Sequence, residues 1–99
     1  MSEPLTPVER KVYQYLIDFL AAARDALDGL AAWDAASMEP ALRGAAERLG
    51  VGAGKLFQPL RVALTGSAAS PGMFDVLELL GRDRALARVD AALARLGAP

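Results

Sequence analysis

The chain has 99 residues, 54% of them hydrophobic and only 6% aromatic, with a net charge of −1 at pH 7. That length suits one domain with one core, packed mainly by Leu and Ala, and both residues favour helix. There is no cysteine and no histidine. This excludes a disulfide framework, a thiolate metal site, the commonest general base and the commonest neutral metal ligand.

In chain order, Thr6-Pro7-Val8-Glu9 reads as a capping box with proline at the first helical position. The stripe Val8, Val12, Leu16, Phe19, Ala23, Leu27, Leu30 advances by three or four residues, which predicts one face of a helix ending near residues 29–32. This first helix is expected to be the longest. Trp33 follows, then a new N-cap, Asp34 or Ser37. Pro40 argues for Ser37, because proline is tolerated only in the first turn; with Asp34 as cap, a bend near Pro40 should follow. Leu42, Ala45, Ala46 and Leu49 make a short stripe, and Gly50 suits a left-handed stop.

A glycine-bearing turn leads to a third helix over 53–64, with Leu56, Leu60, Ala63 and Leu64 apolar and Pro59 expected to kink it. TGSAAS reads as a loop. Ser70-Pro71 repeats the cap-then-proline start; Phe74, Leu77 and Leu80 line a fourth helix that stops at Gly81. A fifth runs from about Asp83, with Leu86, Val89, Leu93 and Leu96 on one side. No alternating β-branched run occurs. The expectation is an all-α single domain over 1–99, a bundle of about five helices, with no internal repeat and no linker. The longest apolar run is too short to span a membrane, and the start lacks a signal pattern, so a cytoplasmic chain with no membrane partner is expected.

Charge is unevenly placed. Between Glu47 and Asp75 there is no carboxylate, while Arg48, Lys55 and Arg61 fall in that window. A cationic face with exposed backbone donors fits a phosphate-rich partner; it also fits a chance gap on a solvated surface. Gln58 and Arg61 are three apart and share a helix face. Arg offers a planar fork for a base edge and Gln a donor beside an acceptor, although a surface Arg can also simply cover apolar neighbours. Ser70-Pro71-Gly72-Met73 is either a plain helix start or one whose free N–H groups receive an anion or base, with Met73 as a soft surface for it.

Two other readings are excluded. In GVGAGK the glycines are two apart, Lys55 is followed by Leu56 and no strand precedes, so this is no phosphate-hydrolysing loop. Asp25 with Asp28, and Glu39 with Glu47, stand beside no base or nucleophile, so no catalytic residue, metal ligand or cofactor site is expected.

From about Leu20 onward, roughly four-fifths of the chain, the sequence resembles the C-terminal anticodon-binding domain of bacterial glutamyl-tRNA synthetase. The likeness is carried by LGVGAGKLFQPLRVALTGSAASPGMFDVLELLGRDRALARVDAAL, Leu49 to Leu93, above all KLFQPLRVALTG and SPG-apolar-F with LELLG. The resemblance implies an all-α, class I synthetase anticodon-binding-domain-like fold and a tRNA-binding module for the anticodon loop of glutamate tRNA. Matched position by position, Gln58 and Arg61 stand at the family's Gln and Arg, and Ser70, Pro71, Gly72 and Met73 at its anticodon-facing helix start. Ser70 replaces a frequent Thr and Met73 a frequent Leu. Lys55 is expected to hold phosphate.

The family's His-Ile-Gly-His motif and lysine-rich loop are absent. The chain alone is therefore expected to be no enzyme, with the ATP and magnesium of the parent ligase handled by catalytic domains in cis or trans. Residues 1–20 weakly resemble the first helix of SOS-response repressor winged-helix domains. No recognition helix follows, so no DNA partner is implied, and residues 1–20 read as a fused or divergent helix ahead of 21–99. The alternative to RNA binding is a helical protein-interaction module.

Overall fold

Four helices, α1 (Pro7–Asp28), α2 (Ala35–Arg48), α3 (Ala53–Thr65) and α4 (Met73–Arg95), build the computed structural model, which describes residues 4–67 and 72–97. No strand occurs among the described residues. Each helix packs on the other three, and their shared interior is wholly apolar: no polar or charged residue is buried among the described residues.

Local signals set the start of α1. Thr6 Oγ1 accepts the Glu9 N–H at 3.1 Å, and Glu9 Oε1 accepts the Thr6 N–H at 3.2 Å. These reciprocal bonds satisfy donors that a helix start otherwise leaves free. Only the second half of α1 enters the core, through Leu20, Ala23 and Leu27. The stripe continues outward past the bundle, where Val8 is 73% and Val12 48% exposed.

At α2 the expected Ser37 cap is corrected. Asp34 is the N-cap, and its Oδ1 accepts the Ser37 N–H at 2.8 Å. A carboxylate at the helix start gains from the dipole, which outweighs the one hydrogen bond that Pro40 removes inside the helix. Ala36, whose carbonyl loses that donor, is exposed, so solvent can replace it. The bonds from Ser37, side chain first and backbone second, hold the Asp34 carboxyl below its ordinary range. Its contribution is therefore present above the ordinary aspartate value and lost as pH falls through the lowered one.

The expected fourth and fifth helices run together as the single element α4, two helical segments that span 23 residues with Gly81 between them, so the 22-residue α1 is the longest uninterrupted helix. Gly81 interrupts it with φ 78° and ψ 166°. Two helical segments thus meet at a kink at Gly81, and donors from elsewhere support its flanks. Trp33 Nε1 donates to the Leu77 carbonyl at 2.8 Å, and Arg82 Nη2 donates to the Leu30 carbonyl at 2.6 Å. The Arg82 guanidinium also lies 5.4 Å above the Trp33 ring. A further tie across the helices is the 2.7 Å pair of Arg24 Nε with Asp90 Oδ1, which raises the affinity of Arg24 for its proton.

The Gly81 conformation is open to glycine almost alone, and nothing lies within 4 Å of where a Cβ would stand. Gly81→Ala should therefore cost about 1–3 kcal/mol from backbone strain alone. Gly54→Ala, equally unobstructed but inside α3, should be neutral or stabilise by up to about 1 kcal/mol. Urea unfolding of the two variants against the parent chain checks the contrast.

Candidate nucleic-acid interface

The site stands on α3, and its orientation follows from three leucines. Leu56, Leu60 and Leu64 recur every four residues and are each at most 1% exposed. With that edge of α3 turned inward, Lys55, Gln58 and Val62 are exposed, and Arg61 lies half-buried on the flank. Pro59 sits inside the helix and withdraws the donor that the Lys55 carbonyl would otherwise receive. Gly66, at φ 78°, ends α3, and its N–H donates to the Val62 carbonyl at 2.7 Å.

Arg61 is the unusual group. Its Nε is buried and has no hydrogen-bond partner, and no ion pair involves it among the described residues. A buried donor without an acceptor is a cost to the free protein. Gln58, one turn earlier on the same side, also has both ends of its amide free among the described residues.

An aromatic contact brings the start of α4 to this face. Phe57 and Phe74 meet edge to face, with centroids 5.8 Å apart and planes at 88°. Arg43 of α2 lies 5.6 Å over the Phe57 ring. Phe57 and Arg61 are four apart, so the α4 start stands beside the helix face that holds Arg61. Gly72 is the exposed N-cap of α4 and supplies no side-chain cap, leaving first-turn amides for an outside acceptor.

One expectation is corrected here. Met73 is 3% exposed and belongs to the core, so it offers no surface to a base. Its backbone starts α4 and the apolar side chain anchors that start, because the first turn of a helix lying on a core must bury its inward residue. The helix start also has an acid beside it. The Asp75 carboxylate reaches within 3.1 Å of where a Gly72 Cβ would stand. That favours neutral hydrogen-bonding groups over phosphate at this end of the site. Ser70 and Pro71 lie outside the described residues, as does the second half of the TGSAAS segment.

Thr65 adds a feature that the sequence reading passed over. Its Oγ1 lies 2.8 Å from both the Arg61 and the Ser67 carbonyl oxygens and accepts the Ser67 N–H at 3.1 Å. It thereby ties the chain leaving α3 to the backbone of Arg61. The signal was the hydroxyl four residues after Arg61, at the usual spacing for back-bonding in a helix.

A family model described as "Anticodon binding domain" matches residues 8–93. The chain thus belongs to the anticodon-binding domain family. Within it, the kinship is with glutamate–tRNA ligases. Proteins of that name from Anaeromyxobacter sp. and Mycolicibacterium vanbaalenii are 52% identical over 80 residues and 54% identical over 76 residues. A glutamate–tRNA ligase 2 from Rhizorhabdus wittichii is 54% identical over 74 residues. These matches cover 81%, 76% and 75% of this chain but only 17%, 15% and 16% of the relatives. The chain thus spans about one-sixth of the length of the curated relatives it matches, and the match is to an anticodon-binding domain, not to a catalytic part. The family match starts at Val8, inside α1, so most of the helix read as divergent lies within it. No helix among the described residues is long and apolar enough to cross a membrane.

If Arg61 serves something outside the chain, replacing it should not harm the free protein. Arg61→Met keeps the covering stem and removes the unpaired buried nitrogen, so it should leave stability unchanged or raise it by up to about 1 kcal/mol. Thermal and urea unfolding of the variant check this; a clear loss would mean that the guanidinium has an internal role.

Proposed function

We propose that this chain is a tRNA-binding module that grips the anticodon loop of glutamate tRNA and is not catalytic by itself. The observation that carries the reading is the half-buried Arg61 guanidinium, with Nε unpartnered, beside an exposed Gln58, in a chain of the anticodon-binding family. Unstacked bases are read by edge hydrogen bonds and by stacking on guanidinium planes. Arg61 supplies the fork and the plane; Gln58 supplies a paired donor and acceptor.

Lys55, exposed on the same helix, contacts phosphate. Gly72 offers its backbone N–H at the start of α4, and Ser70, through its hydroxyl, and Pro71, which has no N–H, through its apolar ring, contact the loop beside it. Met73 acts beneath, holding that start in place. The near-neutral net charge fits a module that reads particular nucleotides rather than one that binds any polyanion. Glutamate activation, with its ATP and magnesium, belongs to synthetase catalytic domains acting with this module in cis or in trans. The setting is cytoplasmic, and neither DNA nor a membrane is a partner.

One observation favours a second reading, a helical protein-interaction module. The first turns of α1 leave Val8, Val12 and Tyr15 exposed by 73%, 48% and 52%, a stripe on which a second copy of the chain could pack. Salt separates the two. Association through that stripe should be nearly insensitive to ionic strength in sedimentation, whereas RNA binding should weaken steeply as salt rises.

For the principal reading, Arg61→Ala should weaken binding of glutamate tRNA by about 1–3 kcal/mol, with a smaller loss against a non-cognate tRNA. Filter-binding titrations with both tRNAs measure this. Equal affinity of variant and parent chain for glutamate tRNA would remove Arg61 from the recognition site.

A further inference from the structure

Beyond the window around α3 lies a second cationic feature. Arg84, Arg88 and Arg95 follow one another on α4 at intervals of four and seven residues. In a helix those intervals place all three on one face, the first two about 6 Å apart along the axis and the last about 10 Å further. All three are exposed. Ala87 and Ala91 lie beside them, so no bulky side chain hinders approach. The acids of this segment, Asp83 and Asp90, fall on the far side of the helix, and Asp90 is engaged by Arg24 at 2.7 Å.

None of the three arginines takes part in an ion pair among the described residues. Arg88 has one internal bond, from Nη1 to the Leu64 carbonyl at 2.6 Å. Arg84 and Arg88 form a like-charged pair four apart, an arrangement that disfavours an isolated helix. A surface hollow of about 300 Å³ joins this face to the end of α3. Val62, Thr65, Gly66, Arg88, Ala91 and Arg95 line it. Thr65 is the residue bonded to the Arg61 carbonyl, so the stripe is continuous with the α3 site. On its other side Arg95 borders an apolar groove with Leu16, Leu20, Pro59 and Val62, and no carboxylate lines that groove.

We propose that the Arg84–Arg88–Arg95 face of α4 is a track for the ribose-phosphate backbone of the same RNA that α3 reads. The proposal rests on the anticodon-loop reading and adds a sequence-independent grip to it. Guanidinium groups suit bidentate phosphate contact, and a row of them along one helix follows a strand rather than enclosing a single ion. Arg88 also donates to the last turn of α3 and so fixes the track against the reading helix.

The test uses the whole chain with two RNA hairpins, the anticodon arm of glutamate tRNA and an unrelated hairpin of equal length, titrated over a range of KCl. The variant R84Q/R95Q leaves Arg88 on its Leu64 carbonyl. It should lose affinity for both hairpins by the same factor, on the order of tenfold or more at 0.1 M salt, and lower the slope of log affinity against log salt by about 1.5. R84K/R95K keeps the charge and should keep the slope. Arg61→Ala should instead act mainly on the anticodon arm. If the parent chain binds and R84Q/R95Q matches it in slope, the track is wrong and the anticodon reading stands. If the parent chain binds neither hairpin, both fall. A loss confined to the anticodon arm would make the face a part of sequence reading and would overturn the track.

Discussion

The burial of Leu56, Leu60 and Leu64 against the other helices is the constraint on which the rest of the molecule depends. Each is at most 1% exposed, and removing one such side chain to alanine typically costs about 2–5 kcal/mol. A helix held that firmly cannot rotate about its axis. Since each residue turns about 100° from the last, fixing Leu60 fixes Arg61 on the flank and Gln58 beyond it. The same packing that stabilises α3 denies Arg61 Nε both full solvent and an internal acceptor. A core contact thus produces a surface property, a guanidinium held in place with its bonding unfulfilled.

Polar side chains are used in one consistent way around that core. The Leu77 carbonyl before the Gly81 break receives the Trp33 indole. The Asp28 and Leu30 carbonyls at the end of α1 receive Arg82. The Leu64 carbonyl at the end of α3 receives Arg88. Carbonyls in the last turn lack intrahelical donors and carry the negative end of the helix dipole, so a donor, and best of all a cation, stabilises them. Arg82 and Arg88 donate from α4 to the ends of α1 and α3, and Trp33 donates from the α1–α2 connection to α4, so satisfying a helix end also ties two elements together. That is how a core with few aromatics keeps its helices in register without any buried charge.

What the sequence made legible was local chemistry. The Thr6–Glu9 capping box, the left-handed Gly50 stop and the α3 leucine stripe all depend on residues within a turn of one another, and all appear as read. The misreadings came from balances between local rules or from tertiary contact. Pro40 against Asp34 was decided by the strength of a carboxylate cap. Gly81 does leave helical geometry as read, but the two segments beside it follow one another with no loop between them, so four elements stand where five were expected. Met73 follows a glycine at a helix start and looks free in the sequence; only the docking of α4 shows that it points inward. The arginines of α4 escaped notice because Asp83 precedes them and Asp90 falls among them in the chain, although not on their face of the helix.

This last point changes how the net charge of −1 is to be understood. Among the described residues the ion pairs are few: Arg24 engages Asp28 and Asp90, and Arg43 engages Glu39. Other arginines spend their donors on helix ends. Arg10, Arg48, Arg61, Arg84 and Arg95 do neither, and three of these, Arg61, Arg84 and Arg95, lie on α3 and α4, around the hollow at the end of α3 or one helix step from it. Averaged over the chain the charges cancel. Resolved by partner they do not, because the acids that balance these arginines in number stand elsewhere. A molecule can therefore be nearly neutral as a whole and still present one helix pair to a polyanion, with long-range attraction weak enough that short-range geometry at Arg61 and Gln58 decides which polyanion is held.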